Sequence, residues 1–137
     1  MLIPTDQITD WQDLQNKVAQ LFAEMGYRTT TPKVVDLAGR GRKEVDVYIE
    51  DPRASVNQII LIECKLWNTP VSQDTVHSMH TVMSGSGANT GFIVSKAGFQ
   101  SGAHEAAAKT NRRPIERFGD IVAHAILGGL HHRYTRI

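Results

Sequence analysis

Ile59-Ile60-Leu61-Ile62-Glu63-Cys64-Lys65 is the stretch whose reading decides the fold. Four consecutive aliphatic residues describe a strand buried on both faces, as in the middle of a sheet covered by helices. Side chains alternate along a strand, so Glu63 and Lys65 share one face and Cys64 points to the other. A carboxylate and an ammonium at the end of a buried strand are costly to desolvate unless something compensates them. A second acid, Asp46, lies in another strand-like segment, Glu44-Val45-Asp46-Val47-Tyr48-Ile49.

Outward from this pair, the chain reads as alternating helices and strands. A first helix is expected over 11–25, with Trp11, Leu14, Val18, Leu21, Phe22 and Met25 as its apolar stripe and Gly26 as its stop. Thr9 with Gln12 can form its capping box, and Asp10 competes as the cap. Strands are expected over 27–31, 44–50, 58–65 and 91–95, with a loop over 37–42. Ser72 caps a helix over 73–83, on which Val76, Met79, His80 and Met83 recur at helical spacing. An alanine-rich helix follows over 101–110, then a short strand over 115–118. A last helix runs from Asp120 to Leu127 and stops at Gly128-Gly129.

The early strands are joined by turns and should pair antiparallel. The strand after the helical crossover should be parallel to its neighbour. The fold class is therefore α/β: a mixed central sheet of four to five strands with helices on both faces. At 137 residues it should form one domain over 1–137.

Composition narrows the function classes. Hydrophobic residues make up 41% and charged residues 21%, as in a globular protein, and no apolar run is long enough to cross a bilayer. The first residues lack the basic and apolar regions of a signal peptide. A single cysteine excludes an internal disulfide and fits a reducing, cytoplasmic location. Net charge is +1, so a nucleic-acid surface has to be a local patch. Arg40, Arg42 and Lys43 form one basic cluster; Lys109, Arg112, Arg113 and Arg117 form another. Lys96, just after a strand, can also reach a phosphate.

Asp46 and Glu63 lie on consecutive strands joined by a turn, and a hairpin can set them opposite each other. Two carboxylates and the Cys64 carbonyl offer the oxygen ligands that Mg²⁺ prefers, with water and phosphate completing the shell. Such an ion polarises a phosphoryl oxygen and activates water, and Lys65 can stabilise the developing charge. The plainer reading is a Glu63–Lys65 salt bridge at a strand end. From the residues alone, both readings stand.

The ordered set of elements resembles the PD-(D/E)XK nuclease superfamily, and most closely its Mrr-type restriction endonuclease domain. The resemblance rests on Met25-Gly26-Tyr27 ending the first helix, Gly39-Arg40-Gly41 leading to Asp46, and Ile62-Glu63-Cys64-Lys65. Val71-Ser72 opening a helix, and Gly91-Phe92-Ile93-Val94-Ser95 followed by Phe99 and 103–107, extend it over about 11–110. It implies a catalytic core of Asp46, Glu63 and Lys65 and a Mg²⁺ or Mn²⁺ ion held by Asp46, Glu63 and the Cys64 carbonyl. The first helix of such domains often carries a further acid, and the matching position here is Gln15. An amide there can hydrogen-bond a carboxylate or water at the site, or simply pack at the sheet edge. Relatives approach Asp46 through glycines; here Arg42-Lys43-Glu44-Val45 precedes it, and Glu44 is either an extra acid or a half-exposed strand residue.

The expected function is a metal-dependent endonuclease that hydrolyses DNA, of restriction or defence type. The alternatives are a non-catalytic nucleic-acid-binding or assembly domain of the same fold, which the uncharged Gln15 favours, and a structure-selective nuclease such as a junction resolvase. A homodimer is one expected partner state, with Ile121, Val122, Ile126 and Leu127 serving either that contact or the core. A larger defence assembly is another, because the chain is too short to carry a separate sequence-reading domain. The Gly39–Lys43 loop is either a phosphate cradle or a solvated turn. His77 and His80 are read as packed or solvated rather than zinc ligands, and Cys64 as a core residue rather than a nucleophile.

Overall fold

The computed structural model describes residues 8–56, 58–66, 68–111 and 122–127. The chain begins with α1 (Trp11–Glu24), β1 (Arg28–Thr30), β2 (Lys33–Asp36), β3 (Arg42–Val45), β4 (Val47–Glu50) and β5 (Ile59–Lys65). It continues with α2 (Gln73–Ser86), β6 (Thr90–Ser95), α3 (Ser101–Asn111) and β7 (Val122–Leu127). Five strands form one sheet in the order β1-β4-β5-β6-β7, and β2 and β3 form a separate two-stranded ribbon. β4 pairs antiparallel with β1 and β5, β6 runs parallel to β5, and β7 runs antiparallel to β6. The mixed sheet expected from the sequence is present, with β5 at its centre.

Each face of the sheet has its own apolar layer. Leu14, Val18, Ala19 and Phe22 of α1 pack on Val47, Ile49, Ile60, Ile62, Cys64, Phe92 and Val94. Val76, Met79, Val82 and Met83 of α2, with Ala103, Ala106 and Ala107 of α3, cover Leu61 and Ile93 on the opposite face. Phe22 and Phe92 meet at 5.9 Å between ring centroids. Full burial of side chains of this size stabilises by roughly 1.5–3 kcal/mol each. The alternation along β5 thus follows the sequence reading: Leu61 faces α2 and α3, while Ile62 and Cys64 face α1.

Asp10 caps α1, accepting the amide of Asp13 at 2.8 Å, and Asp13 in turn accepts the amide of Thr9 at 3.0 Å. The carboxylate at position 10 supplies the cap in place of Thr9. The expected strand over 44–50 is interrupted at Asp46, and its first part pairs with β2 instead of β5. Val45 and Val47, two residues apart, would share a face in a continuous strand. Here Val45 joins the α2 layer and Val47 the α1 layer. The bend at Asp46 swaps the faces and lifts the β2–β3 ribbon away from the main sheet.

α2 runs three residues beyond its expected end. Gly85 lies within it, and a Cβ there would meet the Cα of Leu37 at 3.1 Å. The glycine therefore lets the base of the ribbon seat against the helix. His80 is exposed, and Val82 takes its place in the buried stripe. The expected last helix over 120–127 is instead β7, from Val122 to Leu127. Its pairing along the whole of β6, Thr90 opposite Leu127 through Ser95 opposite Val122, overrides the helical preference of its alanines. The expected strand over 115–118, together with Lys109 as a side chain, Arg112, Arg113, Arg117 and Ile121, lies outside the described residues or side chains. No described helix is long and apolar enough to cross a membrane.

Candidate active site

The antiparallel register that sets Val47 against Ile62 brings Asp46 opposite Glu63, one step past the last pair of β4 and β5. The two carboxyl groups lie close enough for the Asp46 charge to act on Glu63. Lys65, two residues on, places Nζ 3.7 Å from Glu63 Oε2, and both side chains are mostly buried. The salt bridge of the plainer reading therefore exists, but it is part of a carboxylate pair rather than an isolated surface contact.

Asp46 is only 8% exposed. Its Oδ2 accepts the backbone amide of Cys64 at 2.7 Å, and its Oδ1 accepts Nε2 of Gln15 at 3.0 Å. The Thr31 hydroxyl donates to its carbonyl at 2.6 Å. The bend at Asp46 is thus held from three sides, by α1, by β5 and by the residue after β1. Charge-assisted bonds of this kind fix an orientation more firmly than neutral ones.

Gln15, predicted to sit beside the inward face of α1, is 1% exposed and reaches this carboxylate directly. Its Oε1 faces the Thr31 hydroxyl and the Gln12 amide, each at 3.4 Å. The hydrogen bond to a neighbouring carboxylate, part of one of its two open readings, is observed. Glu44 is exposed on the ribbon, beyond the bend, and is not part of the cluster.

Burial and the neighbouring Asp46 charge push the Glu63 carboxyl up to about 7; Lys65 and Lys43 act in the opposite sense. Removing water disfavours the charged acid, and a like charge nearby disfavours it further. Cys64 lies in the α1 layer, and burial followed by the charges of Asp46 and Glu63 pushes its thiol up. It stays a protonated core side chain, as expected.

Sequence reasoning placed Trp11 in the apolar stripe, but it is 47% exposed. Its indole N–H donates to the Cys64 carbonyl at 3.1 Å. Trp11, Asp46, Glu63, Cys64, Lys65 and Leu66 line an open cleft of about 410 Å³. Trp11 and Thr31 are the site residues the sequence did not single out. Their signal was weak: one begins a helix, the other precedes a proline, and both gain their roles from distant backbone carbonyls.

The basic residues divide. Arg40, Arg42 and Lys43 are exposed on the ribbon, and Arg42 is paired with Asp36 at 3.1 Å. Lys43 shares a ribbon face with Val35 and Val45, and its charge acts on Glu63. The ribbon turn bonds to itself, Leu37 N to Gly41 O and Arg40 N to Leu37 O, both at 2.8 Å. Those two amides are therefore already engaged within the turn. Lys96 is exposed at the end of β6, beside the end of β5, with its amide 3.3 Å from the Lys65 carbonyl. His77 and His80 are both exposed.

Asp46, Glu63 and the Cys64 carbonyl form a hard oxygen donor set around two mutually repelling carboxyl groups, which suits Mg²⁺ or Mn²⁺. Among the described residues, no group of three or more His, Cys, Asp or Glu side chains is placed to hold an ion, so this set consists of two carboxylates and one backbone carbonyl. The shell would be completed by water and substrate, the usual arrangement for Mg²⁺. The Cys64 carbonyl already accepts from Trp11 and has one lone pair left.

No curated protein matches the chain. A crystal structure described as a protein of unknown function, AF1548, shares the fold with a TM-score of 0.61 at 23% identity. The similarity covers 73% of this chain and 54% of that one, so the chain spans about half of that protein's length. A family model described as restriction endonuclease, Mrr_cat, matches residues 7–118. The chain thus belongs to the Mrr-type restriction endonuclease family.

Proposed function

We propose that this domain is a divalent-metal-dependent endonuclease that hydrolyses phosphodiester bonds in DNA. The observation that carries the reading is the meeting of Asp46 and Glu63 across β4 and β5, with Lys65 at 3.7 Å from Glu63. Asp46, Glu63 and the Cys64 carbonyl would hold the ion. When bound, it would offset the negative charge of the pair, polarise a phosphoryl oxygen and acidify water. Gln15 and the Cys64 amide hold the Asp46 carboxylate in one orientation. Lys65 orients the attacking water and stabilises the charge that develops on the phosphate oxygens. Attack is in line: a bond forms from water oxygen to phosphorus, and the bond to the leaving sugar oxygen breaks. Lys43, Lys96 and Arg40 supply contacts to the flanking phosphates, and Arg112 and Arg113 belong to the same proposal.

Membership of a restriction endonuclease family supports a role in restriction or defence. A homodimer cutting both strands, or a place in a larger assembly, follows from that role. The test is cleavage of supercoiled plasmid DNA with Mg²⁺ or Mn²⁺. Asp46→Ala and Lys65→Ala should each reduce cutting at least a hundredfold while the thermal melt stays cooperative. Undiminished cutting by either variant removes this mechanism. DNA binding without cutting in any divalent ion favours the non-catalytic binding domain. Selective cutting of branched over linear duplexes favours a resolvase-like enzyme.

A further inference from the structure

We infer that Gln15 limits the site to a single divalent cation. The inference rests on the proposed role of Asp46 and Glu63 as ligands and concerns how many ions they hold. Gln15 occupies the buried flank of Asp46 opposite the Cys64 amide. An ionised carboxylate can only accept hydrogen bonds, so the amide must turn its NH₂ toward Asp46. The surroundings agree: its Oε1 accepts from the Gln12 amide at 3.4 Å. Turning the amide over would break the 3.0 Å bond and set an oxygen against the Asp46 carboxylate. In a position 1% exposed, no water is at hand to relieve that contact.

On the α1 side of Asp46, a cation therefore meets N–H hydrogens rather than a ligand oxygen. Sites that hold two ions need carboxylates able to bridge or flank both. Here one Asp46 oxygen is engaged by Gln15 and the other by the Cys64 amide, and α1 adds no anionic group to the cluster. The remaining ligands, Glu63 and the Cys64 carbonyl, lie together on β5 and serve one ion.

The experiment counts bound Mn²⁺ on the full chain at pH 8. Calorimetry is paired with the paramagnetic resonance signal of free Mn²⁺, for the wild type, Q15E and Q15L. One ion is expected for the wild type. Q15E, with an anionic oxygen on the α1 side, should bind two. Q15L should bind one, about tenfold more weakly, because Asp46 loses its orienting donor. Two ions on the wild type, or one on a folded Q15E, overturns the inference. Should Q15E not fold, the wild-type count still decides between one ion and two. No Mn²⁺ on the wild type, with Asp46→Ala indistinguishable from it, overturns the metal-site reading itself and this inference with it.

Discussion

Glu63 lies opposite Asp46 at the junction of β4 and β5, and the two carboxylates line one open cleft. Burial and the Asp46 charge push the Glu63 carboxyl up to about 7, against the pull of Lys65 and Lys43. A cation on this pair has to displace the Glu63 proton. Mn²⁺ affinity should therefore rise about tenfold per pH unit from about pH 5 to 7 and level off above it. Calorimetry in buffers of different ionisation enthalpy should find close to one proton released at about pH 6 and nearly none at about pH 8.5. An affinity independent of pH across that range contradicts the pairing.

The same group makes the cation-free protein less stable as pH rises. Its folded value of about 7 exceeds the ordinary 4.5, so the native state holds the extra proton between those values. The stabilising contribution is complete below the ordinary value and is lost as pH climbs through 7. Glu63→Gln removes this dependence. In chelator, the variant should exceed the wild type by less than about 1 kcal/mol at pH 5 and by about 3 kcal/mol at pH 8. Urea unfolding at the two pH values measures the difference, and a gap that does not widen with pH refutes it.

Gly91 sets how closely α2 lies on the sheet. It sits in β6 opposite Leu61, and a Cβ there would meet Met83 Sδ at 2.5 Å and Met79 Cγ at 3.2 Å. Both methionines are buried in the α2 layer. Valine at 91 suits a strand in isolation, yet it would overpack this layer. Gly91→Val should lower stability by about 1–3 kcal/mol in urea unfolding. A gain in stability would show that strand propensity outweighs the contact with α2.

How far the sequence reached depended on whether a feature was local. Strand alternation is a property of the backbone, so the division of Glu63 and Lys65 from Cys64 could be read directly, as could the burial of Ile60, Leu61 and Ile62. The pairing of Asp46 with Glu63 needed only a hairpin. The bend at Asp46 was not legible, because Val45, Val47 and Ile49 keep an unbroken alternation. Only the two core layers, which claim Val45 and Val47 separately, reveal it. The β2–β3 ribbon stayed hidden because Lys33–Asp36 buries just one residue, Val35, and so leaves little apolar pattern. The sequence of β7 predicts a helix, because the partner that makes it a strand lies some thirty residues away in sequence. At Gln15 the helical spacing shows the position beside the inward face, while the direction of the amide is set by Asp46.

Lys43 separates the basic residues that act at the site from those that are merely exposed. It stands on the inner ribbon face with Val35 and Val45, and its charge lowers the Glu63 value. Arg42 stands on the other face, bound to Asp36 with both side chains more than three-quarters exposed. A lysine that contacts a phosphate releases about one counterion, so its loss should reduce the slope of log affinity against log salt by about one. Lys43→Ala should show that change for duplex DNA in Ca²⁺, and should also shift the cation-affinity profile to higher pH. Arg42→Ala, relieved of an exposed pair that contributes little, should change the slope by less. Fluorescence anisotropy across a salt series measures both. An unchanged slope for Lys43→Ala, with the Glu63 profile shifted, would confine this lysine to the electrostatics of the carboxylate pair and remove it from the DNA contact.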